Sequence, residues 1–543
     1  MTPTLYRARR VLTMNRSQPE ATHVAVRDGR VLGAGDAESL AGWGPFTVDD
    51  RFADKVLMPG FVEAHSHVSE GGFWRHPYVG FHDRVDPEGR RWPGLGTLDA
   101  VLAALAGQDA GLDDPARPLL AWGFDPIFLP GERCTRRHLD RVSARRPVVV
   151  MHASGHILTV NGAALARLGW LRTGIDHPGI PLDDDGLPAG ELRGPEAMTP
   201  MLERCGMGRD ALADEGALRR FAALCVRSGT TTATDLLNTL TPDIVETMLR
   251  VTGEPAFPAR IVPFLRLIGE PVPESIARAL ALRAQSTDRL RLGAVKIVTD
   301  GSIQGFSARL RWPGYFDGSP NGLWYVAPER LREALRAALD ADLLVHLHTN
   351  GDQATELVLE TMRALLSERF VPDHRFTLQH CQLADAAQFR MMRTLGMCAN
   401  LFANHTFYWG DAHRARTVGP ERAERMNACA TAIACGVPLA IHSDAPVTPL
   451  GPLFTAWCAV NRLTSSGRLL GANERIPVAD ALRAITLGAA WQLRLDGEVG
   501  SIECGKRADF AVLEDDPLAV RPEALREVRV WGTVLGGVPQ PAP

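Results

Sequence analysis

The sequence contains no apolar, uncharged window approaching the ~18 residues of a membrane span. Its opening stretch, MTPTLYRARRVLTMNRSQPE, carries arginines but no continuous apolar segment of the secretory kind. Membrane insertion and secretion are therefore both disfavoured. There is no long block of one charge sign: 59 Lys and Arg stand against 63 Asp and Glu, for a net charge of −4, so no basic stripe is available to track phosphates. Nucleic acid is not an expected partner. The nine cysteines are odd in number, scattered and never spaced C-x-x-C, which argues against a disulfide framework and a thiolate zinc site and points to the reducing cytoplasm. Internal repeats are lacking, and the glycines of GSIQG (301 to 305) lie too late in a strand to form a phosphate loop.

What is present is 543 residues of near-average globular composition, 45% hydrophobic and 22% charged, enough for about three packed units. Residues 5 to 12, 23 to 34 and 55 to 58 read as short strands, with a hairpin signal at Asp28-Gly29. The C-terminus repeats that texture around Phe510 to Leu513 and in VRVWGTVLGG, before a tail, GGVPQPAP, expected to be loose. Both ends are expected to pack as one small β-sandwich formed by residues 1–58 and 490–543.

Between them, apolar runs of four to seven residues alternate with amphipathic stretches, the pattern of repeated βα units. ATDLL, ARIVPFL, GAVKIVTD, LLVHLH, FTLQH, MCANLF and PLAIHSD, preceded by VLMPGFVEAHSH, make eight candidate strands. The fold class is therefore α/β, a (β/α)8 TIM-like barrel over residues 59–69 and 229–489. Residues 70–228 are too many for a loop and hold helix-like LDAVLAALAGQ and strand-like PLLAWGF and RPVVVMHAS, so an inserted subdomain is expected after the first barrel strand. What remains is close to the ~250 residues typical of the barrel.

The strongest local signal is PGFVEAHSH, where His65 and His67 sit two apart on a strand and face the same side. Polar residues recur in later strands, toward the C-terminal ends where such barrels build their sites: Lys296, His348, His380 and Asp444. An uncompensated charge inside a barrel is costly, and a divalent metal compensates imidazoles and a carboxylate. That ligand set suits zinc, iron or manganese rather than calcium. His346 shares a face with His348, so spacing alone does not choose between them. Lys296 could instead be an ordinary ammonium paired with Asp300, four residues on and on the same strand face.

PGFVEAHSH, VKIVTDGS, HTNGDQA, LQHCQL, HSDAPV and VGSIECGKRADFAVLEDDP, in this order along nearly the whole chain, resemble the metal-dependent amidohydrolase superfamily, in particular the branch containing N-substituted formamide deformylase. The resemblance implies metal ligands at His65, His67, His348, His380 and Asp444, and a carboxylated lysine bridging two metals at Lys296. One or two ions are implied, zinc first, with manganese or iron as alternatives. The H-x-x-G-D pattern of the superfamily selects His348 over His346.

The implied chemistry is hydrolysis of a non-peptide amide bond by metal-activated hydroxide, with Asp444 as general base and proton donor to the leaving amine. His380 ligates a second metal or polarises the carbonyl. Ester or lactone hydrolysis, or ring deamination, would use the same machinery, and a non-catalytic ligand-binding relative is a distant alternative. His152 and His156 in MHASGHILTVN, and Trp122 in WGFD, are candidate substrate contacts, with structural roles weighing equally for the histidines. NHTFYWGDAH (404 to 413) is a second candidate pocket lining, and His442, on the face of Asp444, is either a supporting group or plain core. The expected partner is a small-molecule amide, and a homo-oligomer is compatible with the sequence.

Overall fold

The computed structural model describes residues 2–129, 131, 133–208, 212–267 and 269–543. Both chain ends meet in one seven-stranded sheet. Its order is Val538–Pro541, Val530–Leu535, Phe510–Leu513, Thr47–Pro59, Thr4–Leu12, Glu20–Arg27 and Arg30–Gly35. Thr4–Leu12 and Thr47–Pro59 run parallel, and all other neighbours antiparallel. The hairpin at Asp28-Gly29 forms as expected, with φ of 52° and 74° meeting the two left-handed positions of a type I′ turn.

Two expectations are corrected here. The termini share one continuous hydrogen-bonded sheet where a two-sheet sandwich was expected, because Phe510–Leu513 pairs directly with Thr47–Pro59. The tail is also not loose: Gly536 and Gly537, at φ 56° and 78°, turn the chain back so that Val538–Pro541 becomes an edge strand. An edge tolerates its two prolines, since no neighbour waits for their missing N–H groups.

Eight parallel strands follow in sequence order: Phe61–Glu63, Thr230–Asn238, Arg260–Arg266, Ala294–Val298, Val345–Thr349, Thr377–His380, Cys398–Leu401 and Leu439–Ile441. The sheet curls until its ends touch. Asp444 N donates to His65 O at 3.0 Å and His67 N to Ala445 O at 2.8 Å, which makes the TIM-like barrel. All eight expected runs are strands, although the first is divided. Thr47–Pro59 belongs to the terminal sheet and only Phe61–Glu63 to the barrel. The chain passes between the two at Gly60, where a Cβ would fall 2.0 Å from Thr231 Oγ1. Helices cover the outside with apolar stripes, as in Pro328–Asp340, which buries Leu331, Ala334, Leu335 and Ala338 at helical spacing.

The stretch between the first two barrel strands holds its own four-stranded sheet, ordered Glu191–Arg193, Ile157–Val160, Val148–His152, Leu119–Phe124. The last helix of this stretch, Glu215–Ser228, buries Leu218, Phe221, Ala222 and Cys225 in the barrel's own core. Among the described residues no helix is long and apolar enough to cross a membrane.

Barrel and terminal sheet are joined by a buried ion pair. Arg260 Nη1 donates to Asp509 Oδ2 at 2.8 Å with both side chains at most 3% exposed, and Asp509 Oδ1 accepts from Gly536 N at 2.8 Å. Removing one partner leaves the other buried and unpaired. Asp509→Ala should therefore lower the unfolding free energy by about 3–5 kcal/mol in urea titrations, while Arg260→Met with Asp509→Leu should cost far less.

Within the insertion, His152 Nε2 meets Thr159 Oγ1 at 2.8 Å, and burial pulls the imidazole pKa down to about 4. It is neutral when folded and protonated when unfolded below pH ~6.5, so its contribution is present above that pH and is lost as pH falls toward 4. His152→Gln should accordingly lose less stability than the wild type between pH 7.5 and 4.5, measured by urea midpoints.

Candidate metal centre

The candidate residues come together at the C-terminal mouth of the barrel. His65 and His67 follow the first strand, Lys296 lies in the fourth, His348 in the fifth, His380 ends the sixth and Asp444 follows the eighth. Local backbone geometry decides where two of them point. His380, Cys381 and Asp444 have φ of 73°, 46° and 53°, left-handed values that side-chain-bearing residues rarely adopt. In a regular strand Gln379 and His380 would face opposite ways. The left-handed turn at His380 brings both to the interior, Gln379 beside His65 and His380 beside His348.

Asp444 Oδ1 lies 3.2 Å from His65 Nε2 and 3.3 Å from His67 Nε2, yet makes a well-directed hydrogen bond with neither. The far side of each ring explains this. His67 Nδ1 is 2.6 Å from the Leu236 carbonyl, which can only accept, so Nδ1 donates to it and in the neutral ring Nε2 is a bare lone pair. For His65 the same result follows through a longer chain. His346 Nε2 donates to the Gln492 carbonyl at 3.2 Å, which leaves His346 Nδ1 to accept from Gln379 Nε2 at 2.8 Å. Gln379 Oε1 must then face His65 Nδ1, at 2.6 Å, and it also accepts from Asn400 Nδ2. Burial drops the His65 pKa to about 4, so the ring is neutral and its Nε2 is also a bare lone pair. Two lone pairs aimed at one carboxylate repel, and a cation at their meeting point is what the arrangement fits. Histidines that bind metal are oriented in this way, through a donor bond from the other nitrogen.

His348 Nε2 is 3.0 Å from the Gly301 carbonyl, His380 Nε2 is 3.1 Å from His348 Nδ1, and His442 Nε2 is 3.1 Å from His380 Nδ1. Burial holds all three well below the ordinary imidazole range. His380 Nδ1 also lies 4.0 Å from Asp444 Oδ2, which links this row to the first cluster. Two groupings of these side chains could hold an ion, His65 with His67 and Asp444, and His65 with His380 and His442. His442 thus joins the site, stacked on His65 with centroids 4.7 Å apart.

Lys296 is buried with no hydrogen-bond partner for Nζ, and burial lowers its pKa to about 7. The alternative pairing with Asp300 is not what the structure holds. Asp300 accepts backbone N–H groups from Arg309, Asn350 and Gly351 instead, at 2.9–3.0 Å. Of the two fifth-strand histidines, His348 stands beside His380, and His346 sits one residue pair lower, opposite Lys296 in the register.

Sequence reasoning passed over Gln379 and Glu63. Glu63 ends the first barrel strand two residues before His65, which was a usable signal. It accepts from Ser443 N, Ser443 Oγ and His65 N across the seam of the barrel, and burial pushes its pKa up to about 8. Gln379 offered no signal beyond being polar in an apolar strand.

The three insertion candidates separate. His156 stands over the mouth, its ring 5.2 Å from His348 and 5.9 Å from Tyr325. His152 and Trp122 point elsewhere. His152 packs on Thr159 and Phe124, while Trp122 donates to the His76 carbonyl and packs among Phe73, Trp74 and Tyr78, all within the insertion. From the other aromatic stretch, Tyr408 and Trp409 line a cleft beside the mouth.

Residues 53–540 match the model of the amidohydrolase family. The chain is 27% identical over 527 residues to Protein LONG AFTER FAR-RED 3 of Arabidopsis thaliana, covering 93% of this chain and 85% of that protein. It is 25% identical over 561 residues to N-substituted formamide deformylase of Arthrobacter pascens, covering 97% and 96%. An uncharacterized metal-dependent hydrolase from Pyrococcus horikoshii OT3 has the same fold, with a TM-score of 0.69 and 19% identity over 96% of this chain and 99% of that one. With a barrel closed at its first and eighth strands, a histidine and aspartate cluster at its mouth and a family match over nearly its whole length, the chain belongs to the amidohydrolase family and is an enzyme of that class.

Proposed function

We propose that the protein hydrolyses a carbon–nitrogen bond of a small non-peptide amide, using a divalent metal held by His65, His67, His348, His380 and Asp444. Zinc is the first choice, with manganese or iron as alternatives. The observation that carries this reading is the meeting of two imidazole lone pairs with Asp444 Oδ1, a geometry that repels itself unless a cation sits within it. A bound divalent ion supplies Lewis acidity, lowering the pKa of a coordinated water to ~7 and drawing electron density from a substrate carbonyl.

The chain's own part is proton management. Asp444 takes the proton from the attacking water and returns it to the departing nitrogen, without which an amine is a poor leaving group. Asp444 is placed for this role at the barrel seam, its Oδ1 buried and without a hydrogen-bond donor. His380, fixed between His348 and His442, assists at the carbonyl oxygen or holds a second ion. The insertion, through His156, covers one side of the mouth.

We further propose that Lys296 is N-carboxylated. Its amine is buried and unpartnered, and a neutral amine can attack carbon dioxide, losing one proton to form a carbamate. The change would replace an amine, repelled by a bound divalent ion whenever it is protonated, with a carbamate anion whose oxygens would help hold that ion. A cytoplasmic location is proposed as well, supported by nine unpaired cysteines, most of them buried.

A screen of N-formyl and N-acyl amines, with metal counted by ICP-MS, tests the reading. Turnover should depend on the metal, and a protein that neither binds zinc, manganese or cobalt nor gains activity from them would reject it. Asp444→Asn should lower kcat by roughly 10²–10⁴-fold or more while the circular dichroism spectrum is preserved. Lys296→Ala should lose the second ion and most activity, with partial recovery in formate or acetate. A variant that keeps two ions and full turnover would refute carboxylation.

A further inference from the structure

Arg84 is a buried cation of the insertion whose polar partners lie at the barrel mouth. It begins the two-residue strand Arg84–Val85, paired antiparallel with Arg91–Trp92, and its side chain is 6% exposed. The guanidinium lies 5.4 Å from the ring of Trp122 and 5.7 Å from that of Tyr78, aromatic faces that favour a cation and fix the direction in which it leaves the insertion. Nη1 is 3.4 Å from Glu70 Oε1. Nη2 donates to the carbonyls of Pro446 and Val447.

These partners belong to the two segments that carry candidate metal ligands. Glu70, 2% exposed, stands in the short helix Ser69–Phe73 directly after His67, and its N–H donates to His67 O at 3.0 Å. Pro446 and Val447 directly follow Asp444 and Ala445, and Val447 N donates to Asp444 O at 2.7 Å. Arg84 thus spans from the segment after His67 to the loop after Asp444.

The two ends of this strut differ in what else holds them. The His67 end is anchored independently, by His67 Nδ1 at the Leu236 carbonyl and by Val68 N donating to Asp235 Oδ1 at 3.0 Å. The Asp444 end carries strain. Asp444 has a φ of 53°, a left-handed value that a residue with a side chain keeps only where its surroundings over-determine it, and no donor bonds its Oδ1. A guanidinium suits the task of holding such a loop, because its planar fork serves a carboxylate and two carbonyls at once through charge-assisted hydrogen bonds.

We infer that Arg84 is a positioning residue for Asp444: with Glu70 as its fixed counter-ion, it braces the loop after Asp444 and so keeps the carboxylate where the His65 and His67 rings converge. The inference rests on the reading of Asp444 as metal ligand and base, and it gives the insertion a part in building the site. Neither Arg84 nor Glu70 touches the ion or the reacting atoms in this scheme. Both act through the backbone of residues 444–447.

Removing the cation outright leaves Glu70 buried and unpaired, so the test uses two milder changes in the full-length chain. Arg84→Lys keeps a charge and loses the fork, and Glu70→Gln keeps an acceptor and loses the charge. Both are checked for an unchanged circular dichroism spectrum. Hydrogen–deuterium exchange of the metal-free protein reads the brace directly: the Val447 N–H should exchange about tenfold faster in Arg84→Lys and about threefold faster in Glu70→Gln, with the strand Val345–Thr349 unchanged. Zinc affinity, from competition with a chromophoric chelator, should fall about tenfold in Arg84→Lys. The same substitution placed on Asp444→Asn should change that affinity by less than about twofold, because the brace acts through the carboxylate, whereas a general weakening of the fold lowers both backgrounds alike. Unchanged exchange at Val447, or equal losses of affinity in the two backgrounds, would overturn the inference. A loop that loosens in a protein that takes up no zinc keeps the brace and rejects the metal reading instead.

Discussion

Everything at the barrel mouth depends on two backbone hydrogen bonds across one seam, Asp444 N to His65 O and His67 N to Ala445 O. They tie the first strand to the eighth. Residues almost four hundred positions apart thereby share one small volume, with two imidazoles approaching from one side and a carboxylate from the other. Glu63 reinforces the same seam from below through Ser443. Had the sheet stayed open, the ligand candidates would lie along a ribbon with no common point.

The electrostatics of the mouth follow from that closure. Burial holds His65 well below the ordinary imidazole range, and the Nδ1 proton of each ring is placed by an acceptor behind it: a main-chain carbonyl for His67 and, through His346 and Gln379, another main-chain carbonyl for His65. Tautomers are thus fixed by hydrogen bonds that begin at backbone atoms. The cost is a cluster of lone pairs and one carboxylate with no protons between them, and a lysine amine nearby that pairs with nothing.

Much of this was legible in the sequence because it rests on local patterns. Eight apolar runs of strand length, each followed by a helix-like stretch, are the barrel written out. The pair His65 and His67, and the polar residues interrupting otherwise apolar strands, mark its mouth. What was not legible depended on geometry without a local signature. Whether the terminal strands form one sheet or two turns on the pairing of Phe510–Leu513 with Thr47–Pro59, residues separated by the entire barrel. The inward turn of both Gln379 and His380 needs a left-handed residue that strand alternation would never propose. Trp122 was a candidate because WGFD could line an apolar pocket, and His152 because its segment resembles one that lies over the active site in the formamide deformylase branch. The fold spends them on holding the insertion together, and gives the cleft to Phe81, His82 and Phe128 instead.

The single sheet built from both ends also sets an order of events during synthesis. Thr47–Pro59 has its partner Thr4–Leu12 almost at once, yet its other edge pairs with Phe510–Leu513. More than 450 residues must be translated in between, which at ribosomal speeds takes roughly 20–90 s. For that interval a strand ending in the apolar run Val56 to Met58 presents an open edge, the kind of surface on which chains aggregate. The barrel therefore assembles beside an unfinished sheet, which Phe510–Leu513 seals once it has been made.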